Sequence, residues 1–200
     1  MQKTHLSVAY QNQFDDISVL AYWLPSNIPA NLTDSCLSLN ELSTITKITD
    51  PKIRLQKYWS FFLTRTILGE VLEKPPESLL INRKTKPQLP NESLHFNVSH
   101  SDNLWIITWS FNRPVGIDVQ KIDLDINYQN IVKKIFPDSE RKKIKNELDF
   151  FVLWTQKEAY LKLHSFGFSN ITKPLDTNNT TYKKMDISEN FIGHLAIQTN

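Results

Sequence analysis

The apolar and polar positions of the chain fall into alternating strand-like and helix-like stretches. Ile17 to Leu24 is a β-branched and aromatic run closed by Pro25, which predicts a strand. Leu39 to Lys47 predicts a short helix. Asp50-Pro51 is a helix start, with Asp as the cap and Pro in the first turn. The long helix it opens runs to Glu73, carries Tyr58, Trp59, Phe61 and Phe62 on one side, and is stopped by Lys74-Pro75-Pro76. Leu94 to Val98 and Leu104 to Ser110 are apolar runs separated by Ser-Asp-Asn, a hairpin signal. Phe111-Asn112-Arg113-Pro114 reads as a turn and as the boundary between two halves.

The second half repeats the theme. Val115 to Gln120 predicts a strand, Tyr128 to Phe136 and Ser139 to Leu148 predict helices around Pro137, and Asp149 to His164 predicts a long amphipathic helix. Gly167 and Asn170 to Pro174 make a loop, Pro174 to Thr181 is polar, and Tyr182 to Ile187 and His194 to Thr199 predict closing strands. The expected fold class is α+β, with two similar halves, 1–112 and 113–200, each a small antiparallel sheet with a long packed helix. No direct sequence repeat relates the halves.

Composition narrows the function classes. Apolar residues are 40% of 200, enough for a sizeable core, and the formal net charge of +2 is too small for a nucleic-acid coat protein. The aromatics recur at helical spacing and read as core rather than as a base-stacking platform, so no nucleic-acid partner is expected. A single cysteine, Cys36, excludes a disulfide framework and a cysteine-rich zinc site. Met1-Gln2-Lys3-Thr4-His5 has no apolar leader character, and no run approaches membrane-spanning length. The expectation is a cytoplasmic protein with no membrane partner.

Three segments carry candidate chemistry. In Val115-Gly116-Ile117-Asp118-Val119-Gln120, alternation puts Asp118 and Gln120 on one face and Ile117 and Val119 in the core, while Gly116 admits a close neighbour. An edge strand with solvated polar residues gives the same pattern. Trp154, Glu158 and Lys162 are spaced i, i+4, i+8 and share a helix face, with Lys157 one residue round. A surface Glu–Lys pair would look alike, but Leu153, Tyr160, Leu161 and Leu163 surround these charges with apolar surface. Buried charges need partners, and a divalent metal and a phosphate are suitable ones. In Phe96-Asn97-Val98-Ser99-His100-Ser101, neighbouring strand residues face opposite ways, which argues against a Ser99–His100 dyad. As a strand end it offers hydroxyls, a backbone N–H and an imidazole to an anion.

Together these segments resemble the 4'-phosphopantetheinyl transferases of the larger pseudodimeric, surfactin-synthetase-activator type. The likeness rests on the 96–101 segment, on Gly116-Ile117-Asp118-Val119, and on Trp154, Lys157, Glu158, Ala159 and Lys162. Thr64-Arg65-Thr66-Ile67-Leu68-Gly69-Glu70-Val71-Leu72 and Lys86-Pro87 support it, so that it spans residues 52 to 168. The resemblance implies a pseudo-twofold unit that moves the phosphopantetheine arm of coenzyme A to a serine of an acyl or peptidyl carrier protein. Adenosine 3',5'-bisphosphate would be released. It implies Asp118, Gln120 and Glu158 around Mg²⁺, Glu158 as acceptor of the serine proton, and Lys162 on a phosphate oxygen. Asp118, Glu158 and Lys162 would be the catalytic set. Arg65 and His100 would grip the 3'-phosphate of coenzyme A, with Ser99, Lys86, Lys157 and, less securely aligned, Lys52 as further coenzyme A contacts. The first half would be the 3'-phosphate side and the second the Mg²⁺ side, and two internal halves make a monomer sufficient.

Two positions depart from the family pattern. Gln120 stands where a third acid is usual, and His164-Ser165-Phe166-Gly167 keeps one glycine of a Gly-x-Gly. A catalytically impaired coenzyme A-binding protein of the same fold is the alternative, with Gln120 as its symptom. Lys133, Lys134, Arg141, Lys142, Lys143 and Lys145 form a basic cluster holding only Asp138 and Glu140 as acids. It is either a solvated helix face or a surface that steers an acidic carrier.

Overall fold

The computed structural model describes residues 6–28, 34–167 and 170–199. Met1–His5, read above for leader character, and Phe168, where the family resemblance ends, lie outside the described residues. The fold is α+β, as expected. Strands β1 (Ser7–Phe14), β2 (Ile17–Trp23), β3 (His95–Ser101) and β4 (Leu104–Ser110) form an antiparallel sheet in the order β1-β2-β4-β3. Strands β5 (Val115–Lys121), β6 (Thr180–Ser188) and β7 (Phe191–Gln198) form a second in the order β5-β7-β6. The helices are α1 (Leu39–Thr46), α2 (Pro51–Val71), α3 (Tyr128–Ile135), α4 (Asp138–Arg141) and α5 (Glu147–Leu163).

Local chemistry explains most element ends. The Asp50 carboxylate accepts from the N–H groups of Lys52 and Ile53 at 2.8 and 3.0 Å and starts α2. Ser38 and Glu41 form a capping box on α1, with the Ser38 N–H donating to Glu41 Oε2 at 2.9 Å. The expected helix over Ser139–Leu148 is instead the single turn α4 followed by an irregular link. Asn146 accepts from the Asp149 N–H at 2.9 Å, so it caps α5 and separates it from what precedes. Strand β1 escaped the sequence reading because Gln11, Asn12 and Gln13 are poor strand formers. It is an edge strand held by pairing with β2.

The core lies in layers. Tyr58, Trp59, Leu63, Ile67 and Leu68 of α2 pack on one face of the first sheet, against Phe96, Trp105 and Ile107. Ile17, Val19, Ala21, Leu104 and Ile106 from the first sheet share a second apolar layer with Val115, Ile117, Val119, Leu195 and Ile197 of the other. Helix α5 covers the outer face of the second sheet. Gly116 is what lets it settle there: a Cβ at this position would lie 2.1 Å from the Ala159 carbonyl oxygen and 2.4 Å from the Leu163 nitrogen. The close neighbour expected at Gly116 is therefore the backbone of α5. No helix among the described residues is long and apolar enough to cross a membrane.

Strands β3 and β5 of the two sheets are joined by side chains. Asn97, Ser99 and Ser101 lie on one face of β3. Their side-chain oxygens accept the backbone N–H groups of Ile117, Val119 and Lys121 at 2.9, 3.4 and 2.9 Å. Both rows advance two residues at a time, as strand pleating requires, so an otherwise open edge of β5 is satisfied across the junction.

Candidate active site

The side chain of Asp118 leaves β5 on the α5 side and is 6% exposed. Its Oδ1 accepts from the Ser99 hydroxyl of β3 at 2.8 Å and from Lys162 Nζ of α5 at 2.6 Å. Lys162 also donates to Ser99 Oγ at 3.0 Å. Oδ2 has no hydrogen-bond partner among the described residues. Glu158, one turn before Lys162, is half-buried. Burial raises its carboxyl above the usual range, the Asp118 charge adds to the rise, and Lys162 partly opposes it. Three expected residues, Asp118, Glu158 and Lys162, are thus brought together by β5 and α5. Gln120 is two residues along the same face and half-buried.

The donor set fits a divalent cation. Two carboxylates share one site, one has an open oxygen, and the other is kept poorly neutralised by its neighbours; a neutral amide stands alongside. Mg²⁺ commonly takes one or two carboxylates, with water and substrate phosphate completing its octahedron. No group of three or more histidine, cysteine, aspartate or glutamate side chains is placed to hold a metal among the described residues.

Beside this cluster a cavity of about 750 Å³ opens between α1, α2, β3 and the 81–87 loop. His100, Lys57, Ser60, Phe61, Arg83 and Lys84 line it. The His100 imidazole is held below its ordinary pKa, first by desolvation and then by Lys57 and Lys162, with Asp118 opposing. This coupling places the cavity next to the carboxylate cluster.

The remaining expected residues have protein partners of their own. Arg65 does not reach His100. It is 3% exposed, its Nε donates to Glu41 Oε2 at 2.5 Å, and its Nη1 donates to the carbonyls of Pro76 and Leu79 at 2.7 and 3.1 Å. The resemblance implied a phosphate partner for it; here α1 folds over and supplies Glu41 as counter-charge. Burial alone would raise the Glu41 carboxyl; the Ser38 N–H, Arg83 and Arg65 outweigh it and hold it low. Lys157 is likewise engaged. At 1% exposed it pairs with Glu140 at 2.7 Å and donates to the Lys173 carbonyl at 2.8 Å, pinning α4 and the 173–175 segment to α5. Lys52 is an exposed partner of Asp102 at 2.8 Å, away from the cavity. Lys86 donates to the Val115 carbonyl at 2.9 Å, and burial lowers its pKa to about 8.

Arg83 was missed. Its Nε pairs with Glu41 at 2.8 Å, its guanidinium lies 4.4 Å over the Phe61 ring, and its buried Nη2 has no partner among the described residues. The run Arg83-Lys84-Thr85-Lys86 was the available signal, but no periodicity said which of its cations turns inward. His194, across the sheet from Asp118, was also missed. It is 3% exposed, contacts Thr155 Oγ1 at 2.7 Å, and burial lowers its pKa to about 4. Ser165 ends α5 with φ of 56°, the left-handed region where the family glycine would be unstrained.

Comparison with known proteins agrees with this geometry. A model of the 4'-phosphopantetheinyl transferase superfamily matches residues 114–196. The chain is 33% identical over 141 residues to the 4'-phosphopantetheinyl transferase gsp of Aneurinibacillus migulanus, covering 66% of this chain and 57% of that one. It is 29% identical over 152 residues to the 4'-phosphopantetheinyl transferase HetI of a Nostoc species, covering 68% and 62%. To the 4'-phosphopantetheinyl transferase Sfp of Bacillus subtilis it is 32% identical over 129 residues, covering 56% of each. The chain thus spans a little over half the length of these curated relatives. Residues 114–196, which hold Asp118 on β5, the whole of α5 and the contact of Lys162 with Asp118, are thus similar to the 4'-phosphopantetheinyl transferase superfamily.

Proposed function

We propose that the protein transfers the 4'-phosphopantetheine arm of coenzyme A to a serine of an acyl or peptidyl carrier protein, with Mg²⁺, releasing adenosine 3',5'-bisphosphate. The observation that carries this reading is the meeting of Asp118, Glu158 and Lys162 beside a basic cavity large enough for a nucleotide. Asp118 and Glu158 would hold the cation, which, when bound, polarises the attacked phosphorus and neutralises charge on the leaving oxygen. Lys162 sits where it can hold a phosphate oxygen as a point charge. The serine oxygen forms a bond to the pantetheine-bearing phosphorus as the bond to the bridging oxygen breaks. That oxygen leaves with the adenosine bisphosphate. The serine proton passes to Glu158, directly or through water. A carboxylate whose pKa is raised is the better base for this step. For the 3'-phosphate, the cavity supports His100 with Lys57 and Arg83 rather than Arg65.

The carrier's approach would be steered by Lys133, Lys134, Lys142, Lys143 and Lys145, all exposed and without an ion pair among the described residues. Arg141, also exposed, is tied to Asp138 at 3.0 Å. It donates to the carbonyls of Phe136 and Lys133 at 2.6 and 2.7 Å and caps the end of α3. A monomer in the cytoplasm fits this reading. The test is intact mass spectrometry of apo carrier proteins incubated with the chain, coenzyme A and Mg²⁺. Gain of one phosphopantetheine arm, abolished by Asp118→Ala and Glu158→Ala, is the expected result. Tight coenzyme A binding without transfer to any acyl or peptidyl carrier would favour an impaired coenzyme A-binding protein instead.

A further inference from the structure

We propose that Ser99 is a positioning residue for Asp118: it fixes the carboxylate across the junction of the two sheets so that Oδ2 is the oxygen offered to a cation. The proposal rests on reading Asp118 as a cation ligand.

The argument is one of hydrogen-bonding capacity. A serine hydroxyl has one proton and two lone pairs. At Ser99 the proton goes to Asp118 Oδ1 at 2.8 Å, and the lone pairs take Lys162 Nζ at 3.0 Å and the Val119 N–H at 3.4 Å. The residue is 5% exposed, and its hydroxyl makes all three of the bonds it can. Of the three junction side chains, Asn97 and Ser101 accept only a backbone N–H from β5. Ser99 also holds a carboxylate. With Oδ1 occupied twice, by Ser99 and by Lys162, Oδ2 is left as the free donor atom. Groups that orient a metal ligand from behind in this way commonly change metal affinity by about 10- to 100-fold when removed.

The test is Mn²⁺ binding to the full chain, followed by electron paramagnetic resonance in the presence of coenzyme A, with urea unfolding on each variant. Ser99→Ala is expected to weaken Mn²⁺ about tenfold, and Ser99→Thr to restore most of it. Ser101→Ala removes a junction bond of the same kind without touching Asp118 and should lower stability while leaving Mn²⁺ affinity within about twofold. Ser99→Cys, which keeps the packing with a weaker donor, replaces Ser99→Ala if the latter does not fold. Wild-type affinity in Ser99→Ala, or in Ser99→Cys where that replaces it, or an equal loss in Ser101→Ala, overturns the proposal while leaving the cation site standing. Wild-type affinity in Asp118→Ala would remove the cation site itself, and the proposal with it.

Discussion

Gly116→Ala probes the construction of the site most directly. The added Cβ would meet the Ala159 carbonyl oxygen at 2.1 Å, the Leu163 nitrogen at 2.4 Å and the Leu163 Cα at 2.8 Å, against ordinary contact from 3.4 Å. All three atoms are backbone, so no rotamer change relieves the clash. Restoring contact at Ala159 requires α5 to lift from β5 by 3.4 minus 2.1, about 1.3 Å. The two residues that would move most, Ala159 and Leu163, immediately follow Glu158 and Lys162. A shift of that size takes Lys162 Nζ from 2.6 Å to beyond hydrogen-bond range of Asp118 Oδ1. Overpacking of this kind costs about 1–3 kcal/mol, and a rigid backbone obstacle places this case at the upper end. Misplacing catalytic groups by about 1 Å lowers turnover about 100-fold. Urea unfolding reads the first quantity and the rate of carrier mass gain reads the second. Ile117→Val, which trims the apolar layer on the opposite face, should cost about 1 kcal/mol with turnover kept. It therefore separates stability from geometry. A Gly116→Ala protein with unchanged urea midpoint and rate would refute the reasoning.

Other predictions follow from single groups. Ser165→Gly relieves the left-handed backbone at the end of α5 and should raise unfolding free energy by about 0.5–1 kcal/mol in urea titration. His194 titrates near 4 in the folded chain against 6.5 unfolded, so the unfolded state binds the extra proton between those values. Stability is expected to fall as pH drops from 6.5 to 4, by at most about 3 kcal/mol, and His194→Gln should flatten that part of the pH–stability curve. Gln120→Glu adds a charge beside the cation site and should tighten Mg²⁺ dependence, from about 1–4 kcal/mol of added attraction before desolvation; no tightening would mean Gln120 lies away from the metal. Raising salt should increase the carrier KM, and Lys142→Glu with Lys143→Glu should reproduce the effect at low salt; a salt-insensitive KM removes the steering surface.

Much of the fold and part of the site were legible because their causes are local. Asp50-Pro51 starts a helix wherever it occurs, since a carboxylate and a missing N–H satisfy the first turn. Ser101-Asp102-Asn103 turns a hairpin, and alternation along 115–120 places Asp118 opposite the core. Helical spacing fixed Glu158 and Lys162 on one face, and their apolar surroundings pointed to buried charge. The sequence by itself therefore determined the α+β class and the strand and helix that carry the carboxylates, and its family resemblance implied that Asp118, Glu158 and Lys162 converge. What it could not determine were the partners of charges that lie far apart in the chain. The resemblance implied coenzyme A contacts for Arg65, Lys157 and Ser99, and the local sequence does not name their neighbours. Tertiary structure supplies those neighbours: Glu41 arrives from α1 beside Arg65, Glu140 from α4 beside Lys157, and β5 lies along β3 so that Ser99 meets Asp118 and the Val119 N–H. The same long-range closure turned Arg83 into the cavity. Local periodicity sets which way a side chain points, but burying a charge is so costly that only the element that finally packs against it decides what it does.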